Sequence, residues 1–417
     1  MASEGRLKIL IYGLNYAPEM VGIAVYTTGL AESLVEMRHE VQVVAGKPYY
    51  PAWRVPVSFR GGWTLRSTEN GVDLTRVAHY VPANPTGARR ILHHASFAVS
   101  SLLPLLARAI SQKPDVVFTV APSLIATPVA WLAARLTGAK AWLHIQDFEV
   151  EAAMATGLVN QTGAGARLAR WFESLILQRF DRISSISSAM CRKCVEKGVA
   201  PERVTEFRNW ADIRAVQPLV APSPYRAEWG INAPHVALYS GNIANKQGID
   251  IVVGAARRLR HRKDVMFVVC GQGPNRASLE AKAVDLDNIL FRDLQPTERL
   301  GDLLGLASIH LLPQLAEASD LVLPSKLTNM LASGRAIVAT AAAGTGLESE
   351  VEGCGLIVTP GDEAAFAKAI ETLVDDAAML QGFGVAARRR AETRWERDSI
   401  IASAESECMR LTTGGMP

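Results

Sequence analysis

Leu7-Lys-Ile-Leu-Ile-Tyr12 is followed by a loop with Gly13, Pro18 and Gly22, then by Ala24 to Met37 at helical spacing, then by Glu40-Val-Gln-Val-Val44. The chain therefore opens as strand, turn, helix, strand. Its apolar runs are continuous rather than alternating, the pattern of strands covered on both faces. Asp115-Val-Val-Phe-Thr-Val120, Lys140-Ala-Trp-Leu-His-Ile145 and Arg182-Ile-Ser-Ser-Ile186 continue the series. Strands alternating with helices predict βαβ units and a parallel, doubly wound α/β fold. A second series then begins, with strands expected at His235–Tyr239, Val265–Val269, Asn288–Phe291, Ile309–Leu312, Ala336–Ala339 and Leu356–Val358. Between the two, Val216-Gln-Pro-Leu-Val-Ala-Pro-Ser-Pro224 reads as a linker, because proline fixes the chain and removes donors. The expectation is two domains meeting near residue 212, with a cleft between the carboxyl edges of their sheets.

Bulk properties exclude several classes. A length of 417 residues suits two domains. With 49% hydrophobic and 20% charged residues the chain is not disordered. No apolar run reaches the roughly 18–20 residues of a membrane span, and the start, which runs straight into a strand, reads as lacking a signal peptide. Five cysteines argue against a disulfide framework and fit a reducing cytoplasm. A net charge of +3 is too mild to argue nucleic-acid binding.

Several loops fit anions. The first, around Gly22, precedes a helix whose amino-terminal amides favour a negative ligand, although in isolation an ordinary βα turn explains it better. Leu238-Tyr-Ser-Gly-Asn-Ile-Ala-Asn-Lys-Gln-Gly-Ile-Asp250 is again strand, glycine loop and helix, with Gly241, Asn242 and Lys246 in the loop. A lysine beside orphan amides suits a phosphate. Cys270-Gly-Gln-Gly-Pro274 brings Gly271 and Gly273 to the same edge. Asp320-Leu-Val-Leu-Pro-Ser-Lys-Leu-Thr-Asn-Met-Leu-Ala-Ser-Gly-Arg335 predicts a helix starting at Pro324-Ser325 and stopping at Gly334, with Lys326 adding charge. Three such loops in one domain say more than any one of them. No Walker, GxGxxG, HExxH or serine-elbow motif is present. Asp285-Leu-Asp287 precedes a strand and reads as a solvated loop, and Cys191-Arg-Lys-Cys194 is half a zinc pattern with no second half. His144 and Asp147 close a first-domain strand and are expected to face the cleft, against the alternative of a structural histidine.

One interval is unusual in charge. Between Glu40 and Asp115 the only acids are Glu69 and Asp73, against nine basic residues from Lys47 to Lys113. Within it, Arg89 and Arg90 precede a helical stretch in which Leu92, Ala95, Val99, Leu102 and Leu106 share one face. That pattern suits an anionic membrane surface, and suits a buried helix with basic flanks equally.

Taken in order, Asn15-Tyr-Ala-Pro-Glu-Met-Val-Gly22, His144-Ile-Gln-Asp-Phe-Glu149, Arg208-Asn-Trp-Ala-Asp212, Tyr239-Ser-Gly-Asn-Ile-Ala-Asn-Lys-Gln-Gly248 and Pro324-Ser-Lys-Leu-Thr-Asn-Met-Leu-Ala-Ser-Gly334 resemble the family 4 retaining glycosyltransferases of GT-B architecture, of the colanic-acid and O-antigen type. The resemblance implies two Rossmann-like domains: an acceptor-binding domain over 1–212 and a nucleotide-sugar-binding domain over 213–394. A final helix over 395–417 would cross back to the first. It implies a sugar transferred from a nucleoside-diphosphate sugar, with UDP weakly preferred, to a polyprenyl-diphosphate-linked saccharide. The setting would be surface-polysaccharide synthesis on the inner face of the cytoplasmic membrane. No metal and no cofactor beyond the sugar-nucleotide co-substrate are expected, and no nucleic-acid partner.

By resemblance, Lys246 neutralises the donor diphosphate. Gly22, Gly241, Asn242, Gly271, Gly273, Asp320, Ser325, Lys326, Leu327, Thr328 and Asn329 surround the donor, and His144 and Asp147 act beside it. Asn15, Tyr16, Arg89 and Arg90 face the acceptor and membrane. The family's arginine near Asn242 is missing, and Asn329 stands where it has a second glutamate, the first falling near Asp320 or Leu321. Asparagine still hydrogen-bonds a ribose hydroxyl but carries no charge. A hydrolysing nucleotide-sugar epimerase on the same fold and a non-catalytic nucleotide-sugar-binding subunit are the alternative readings.

Overall fold

The computed structural model describes residues 5–20, 22–151, 163–210, 213, 215–243, 247–315 and 326–413. The chain divides into two compact units, Met1–Asn209 with Ile400–Pro417, and Trp210–Ser399.

The first unit is built on an eight-stranded sheet. Its strands are β1 (Lys8–Gly13), β2 (Glu40–Gly46), β3 (Thr64–Glu69), β4 (Val72–Val77), β5 (Val116–Ala121), β6 (Lys140–Ile145), β7 (Arg182–Ser185) and β8 (Val204–Glu206). They lie in the order β3-β4-β2-β1-β5-β6-β7-β8, parallel except for the β3–β4 pair. Its helices are α1 (Ile23–Glu36), α2 (Gly87–Gln112), α3 (Thr127–Thr137), α4 (Ala164–Leu177) and α5 (Ser188–Glu196). Along β1, Ile9 and Ile11 alternate with Leu10 and Tyr12, and all four are buried, so both faces are covered.

The β3–β4 hairpin is an addition to the expected strands. Asn70 and Gly71, with φ of 49° and 81°, make its tight turn. β3, Thr64-Leu-Arg-Ser-Thr-Glu69, is a polar edge strand with no buried residue, so a search for apolar runs passes over it. The hairpin also absorbs charge from the basic interval. Arg76 is buried and meets both carboxylate oxygens of Glu69 at 2.5 and 2.8 Å. Arg108 pairs with Asp73, and Lys47 Nζ donates to the carbonyls of Gly61 and Gly62.

α2 buries a different face from the one its sequence spacing picked out. His93, Phe97, Ser101, Leu105 and Ala109 point inward. There Phe97 stacks on Tyr12 at 5.2 Å, and the Ser101 and Tyr12 hydroxyls lie 2.6 Å apart. Leu92, Val99, Leu103 and Ile110 point out, with 55, 74, 63 and 58% of their surface exposed. Of the expected stripe only Leu92 and Val99 are fully outward, and the true one continues through Leu103.

The second unit holds a six-stranded parallel sheet of β9 (His235–Ser240), β10 (Val265–Cys270), β11 (Ile289–Arg292), β12 (Ile309–Leu312), β13 (Ala336–Thr340) and β14 (Gly355–Val358), in the order β11-β10-β9-β12-β13-β14. Helices α6 (Tyr225–Glu228), α7 (Asp250–Arg258), α8 (Arg276–Lys282), α9 (Leu300–Leu306), α10 (Lys326–Ala332), α11 (Gly346–Val351), α12 (Glu363–Asp375) and α13 (Ala377–Arg394) surround it. On β9, Ala237 and Tyr239 enter one core with α7 and α12, while Val236 and Leu238 enter another with α9. Two covered faces on a parallel sheet make this half doubly wound as well.

The last helix, α14 (Arg397–Thr413), belongs to the first unit from Ile400 onward. There Glu405 lies 3.0 Å from His39, and Glu407 is 2.5 Å from Arg182. Among the described residues no helix is long and apolar enough to cross a membrane.

Candidate active site

In the second unit, the loops leaving β9 and β10 are laced together by main chain. Gly241 N donates to Cys270 O at 2.9 Å, Ile243 N to Gln272 O at 2.9 Å, and Asn275 N to Ile243 O at 3.2 Å. This closeness explains two of the glycines. A methyl group on Gly271 would lie 1.9 Å from Gly241 O, and one on Gly273 would lie 2.2 Å from Ile243 O. Their first task is to let the loops meet. Gly271→Ala is accordingly expected to destabilise the protein by about 3 kcal/mol or more, the scale of a severe backbone clash. Denaturant unfolding checks this, and a loss under about 1 kcal/mol would show that the loops part without cost.

Lys326, the first residue of α10, comes to this edge. Its Nζ sits 4.0 Å from the centre of the Tyr239 ring, and its Cδ lies beside Gly241. The ammonium is buried and has no hydrogen-bond partner among the described residues. Burial pushes its pKa down to about 7. Tyr239, which sequence reasoning missed, is wholly buried and donates its hydroxyl to Asn242 O at 2.6 Å, so the ring is a fixed wall. The Asn242 side chain is exposed. Asn329 is half-buried one turn after Lys326, on the same side of α10.

The Leu327 side chain is fully buried, in an apolar core with Leu312, Met330 and Leu331, so any donor contact there is by its main chain. Thr328 is buried as well. Lys246, Asp320 and Ser325 lie outside the described residues.

In the first unit, Gly22 precedes α1 with φ 66° and ψ −144°, and no side chain caps that helix end. Asn15 donates to Glu19 Oε2 at 2.8 Å. Glu19 Oε1 accepts from the amides of Tyr49 and Tyr50 at 2.7 and 2.9 Å, tying the loops after β1 and β2 together. Burial raises the Glu19 pKa. Tyr16, expected at the acceptor face, is instead buried at 3% exposure.

His144 is also corrected. It is buried inside β6, 4.9 Å from the Phe207 ring, with Nδ1 2.9 Å from Ser184 Oγ and Nε2 2.9 Å from Gln146 Nε2. It is the structural histidine of the alternative reading, and burial lowers its pKa to about 3. The residue it holds, Gln146, forms a two-way amide pair with Asn209 at 2.8 and 2.9 Å. Asp147 is half-buried just beyond the carboxyl end of β6.

A ring cluster beside these loops was not anticipated. His93 lies 4.6 Å from Tyr49, 5.5 Å from Trp53, 4.9 Å from His79 and 5.2 Å from His94. Burial lowers His79 to about 3 and His93 and His94 to about 4. His94 Nε2 is 3.6 Å from Glu149 Oε1, while Glu149 Oε2 accepts from Leu124 N at 2.7 Å. The His93-His94 doublet was the available signal. Arg89 and Arg90 are exposed in the first turn of α2, the latter 5.5 Å above Trp53. Among the described residues no three His, Cys, Asp or Glu side chains are grouped to hold a metal.

Comparison with known proteins agrees with this architecture. Residues 21–210 match the glycosyl transferase 4-like domain, and residues 234–376 match glycosyl transferases group 1. The chain is 39% identical over 405 residues to WcaI of Escherichia coli K12, described as a colanic acid biosynthesis glycosyl transferase, covering 95% of this chain and 98% of that one. Two solved structures share the fold. Sucrose-phosphate synthase from Thermosynechococcus elongatus has a TM-score of 0.72 at 16% identity, covering 98% of this chain and all of that one. HepE of Anabaena with UDP-glucose has a TM-score of 0.65 at 15% identity, covering 96% and 100%. The chain belongs to the family 4 glycosyltransferases of GT-B architecture.

Proposed function

We propose that this glycosyltransferase is retaining and metal-independent, and moves a sugar from a nucleoside-diphosphate sugar, UDP preferred, to a lipid-diphosphate-linked saccharide in bacterial surface-polysaccharide synthesis. The observation that carries the reading is the buried ammonium of Lys326 at the carboxyl edge of the second sheet, without a hydrogen-bond partner among the described residues. A cation without a counter-ion in a low-dielectric site is stabilised by an anion delivered with the substrate. The WcaI relationship supports the polysaccharide setting, and the UDP-glucose held by HepE supports the donor class.

In the reaction the bond from the anomeric carbon to the diphosphate oxygen breaks. A bond to the acceptor hydroxyl forms on the same face, and the hydroxyl proton passes to the departing diphosphate. Lys326 stabilises the charge on that diphosphate. Lys246 joins it on the strength of the family resemblance, and Asn329 hydrogen-bonds the ribose. Asp147 orients the acceptor hydroxyl from the first unit. Incubation with sugar nucleotides and polyprenyl-diphosphate saccharides, followed by NMR of the product anomer, tests this. A product with the donor's configuration, formed equally in EDTA, is expected. An inverted product, or activity abolished by EDTA, overturns it.

The acceptor places the protein on the inner face of the cytoplasmic membrane. Support comes from the outward stripe of α2, Leu92, Val99, Leu103 and Ile110, with Arg89 and Arg90 at its start. Flotation with anionic vesicles at low salt is expected, weakening as salt screens the charges. Each basic residue contributes about 1 kcal/mol at such a surface, so Arg89→Glu with Arg90→Glu lowers partitioning by about 30-fold or more. Protein that stays off the vesicles at low salt would remove the membrane from the reading.

A further inference from the structure

A cavity of about 780 Å³ opens in the second unit at the amino-terminal ends of β9, β12 and β13, walled by α13. In a parallel sheet this is the edge opposite Gly241, Gly271 and Lys326, so it is separate from the proposed donor site. Its charged lining is Arg335, Arg388, Arg389 and a single carboxylate, Glu392.

That carboxylate is already engaged. Arg388 Nε donates to Glu392 at 2.7 Å, and its Nη1 donates to the carbonyls of Ile213, Val216 and Ala332 at 3.3, 2.9 and 2.8 Å. Arg388 is thus a fixed strut. The other two guanidiniums have no carboxylate partner among the described residues. Among the described residues Arg335 Nε is buried without an acceptor, and its Nη2 makes a 3.3 Å contact with Gly305 O. Arg389 is exposed and makes no ion pair among the described residues. The frame is closely packed, since a methyl group on Gly384 of α13 would lie 2.6 Å from Gly334 O. Leu380, Val385 and Pro218 supply an apolar side.

We propose that this cavity is a second ligand site, for an organic phosphate. The phosphate lies between Arg335 and Arg389 and the carbon skeleton rests on Leu380, Val385 and Pro218. Guanidinium forks match phosphate oxygens in geometry and charge. The volume falls within the roughly 300–1,000 Å³ of small-molecule sites, more than a bare phosphate fills.

Calorimetric titration of inorganic pyrophosphate into the full-length Lys326→Ala protein tests the site with the donor edge weakened. Binding tighter than about 1 mM is expected. Adding Arg335→Gln or Arg389→Glu should weaken it by about tenfold to a hundredfold, the loss of a charge-assisted hydrogen bond. Arg389 is exposed, so its variant reports on the site even if Arg335→Gln misfolds. No pyrophosphate binding in the Lys326→Ala protein, or binding that ignores both arginine changes, overturns the proposal. Loss of transfer in Lys326→Ala bears on the donor reading alone.

Discussion

Lys326→Ala is expected to lower sugar transfer by roughly 10²–10³-fold, the effect of removing one preorganised group from a developing oxyanion. The same change should leave the protein at least as stable as the parent. The parent buries an amine against Tyr239 with no hydrogen-bond partner among the described residues, which costs free energy in the absence of ligand. The direction of linkage agrees. The folded-state pKa of about 7 lies below the ordinary 10.5, so between these values the unfolded chain holds a proton that the folded one lacks. The contribution of Lys326 to stability is therefore lost as pH falls from 10.5 towards 7. Alanine removes that penalty at neutral pH, and Lys326→Arg should recover part of the activity. Steady-state kinetics at saturating acceptor, alongside thermal unfolding, reads both effects. Transfer within about threefold of the parent would remove Lys326 from the reaction, that being under 1 kcal/mol of barrier.

Acid should unfold the first unit before the second. His79 and His144 titrate at about 3 and His93 and His94 at about 4 when folded, all in the first unit, against 6.5 in the free side chain. The second unit has His310, also at about 3. Between pH 6.5 and these values the unfolded chain binds protons that the folded chain refuses, so stability falls as pH falls. Each of the four is held neutral by burial when folded and takes a proton when unfolded, so at pH 5 all four act against the folded first unit. Glu19, Glu149 and Glu173, whose pKa values burial raises, offset part of this by taking protons in the folded state. Hydrogen exchange followed by segment should show β1, β5 and β6 losing protection below pH 6 while β9, β10 and β12 keep it. His144→Gln should move the first transition to lower pH. A single transition of both units in the carboxylate range, near pH 4, would contradict the assignment.

Continuous apolar runs such as Val265–Val269 determined the parallel strands by themselves, because a run apolar at every position is stable only with both faces covered. The glycines after β9 and β10 were also readable as loop residues, but not the close approach of the two loops at Gly271 and Gly273. β3 was not, because an edge strand pairs through its backbone and leaves little apolar signature. Nor was the inward face of α2. Apolar residues lie on two sides of that helix, and only the fit of Phe97 and Ser101 against Tyr12 selects one. His144 and Gln146 show the same division. Alternation along a strand sends neighbours to opposite faces, and sequence spacing cannot say which face a lone histidine takes until Phe118, Ser184 and Phe207 enclose it. Strand, loop and charge were thus local properties of the sequence. Which side chain is inside, and whether Lys326 has a partner, depended on residues far away in the chain, and only tertiary packing decided them.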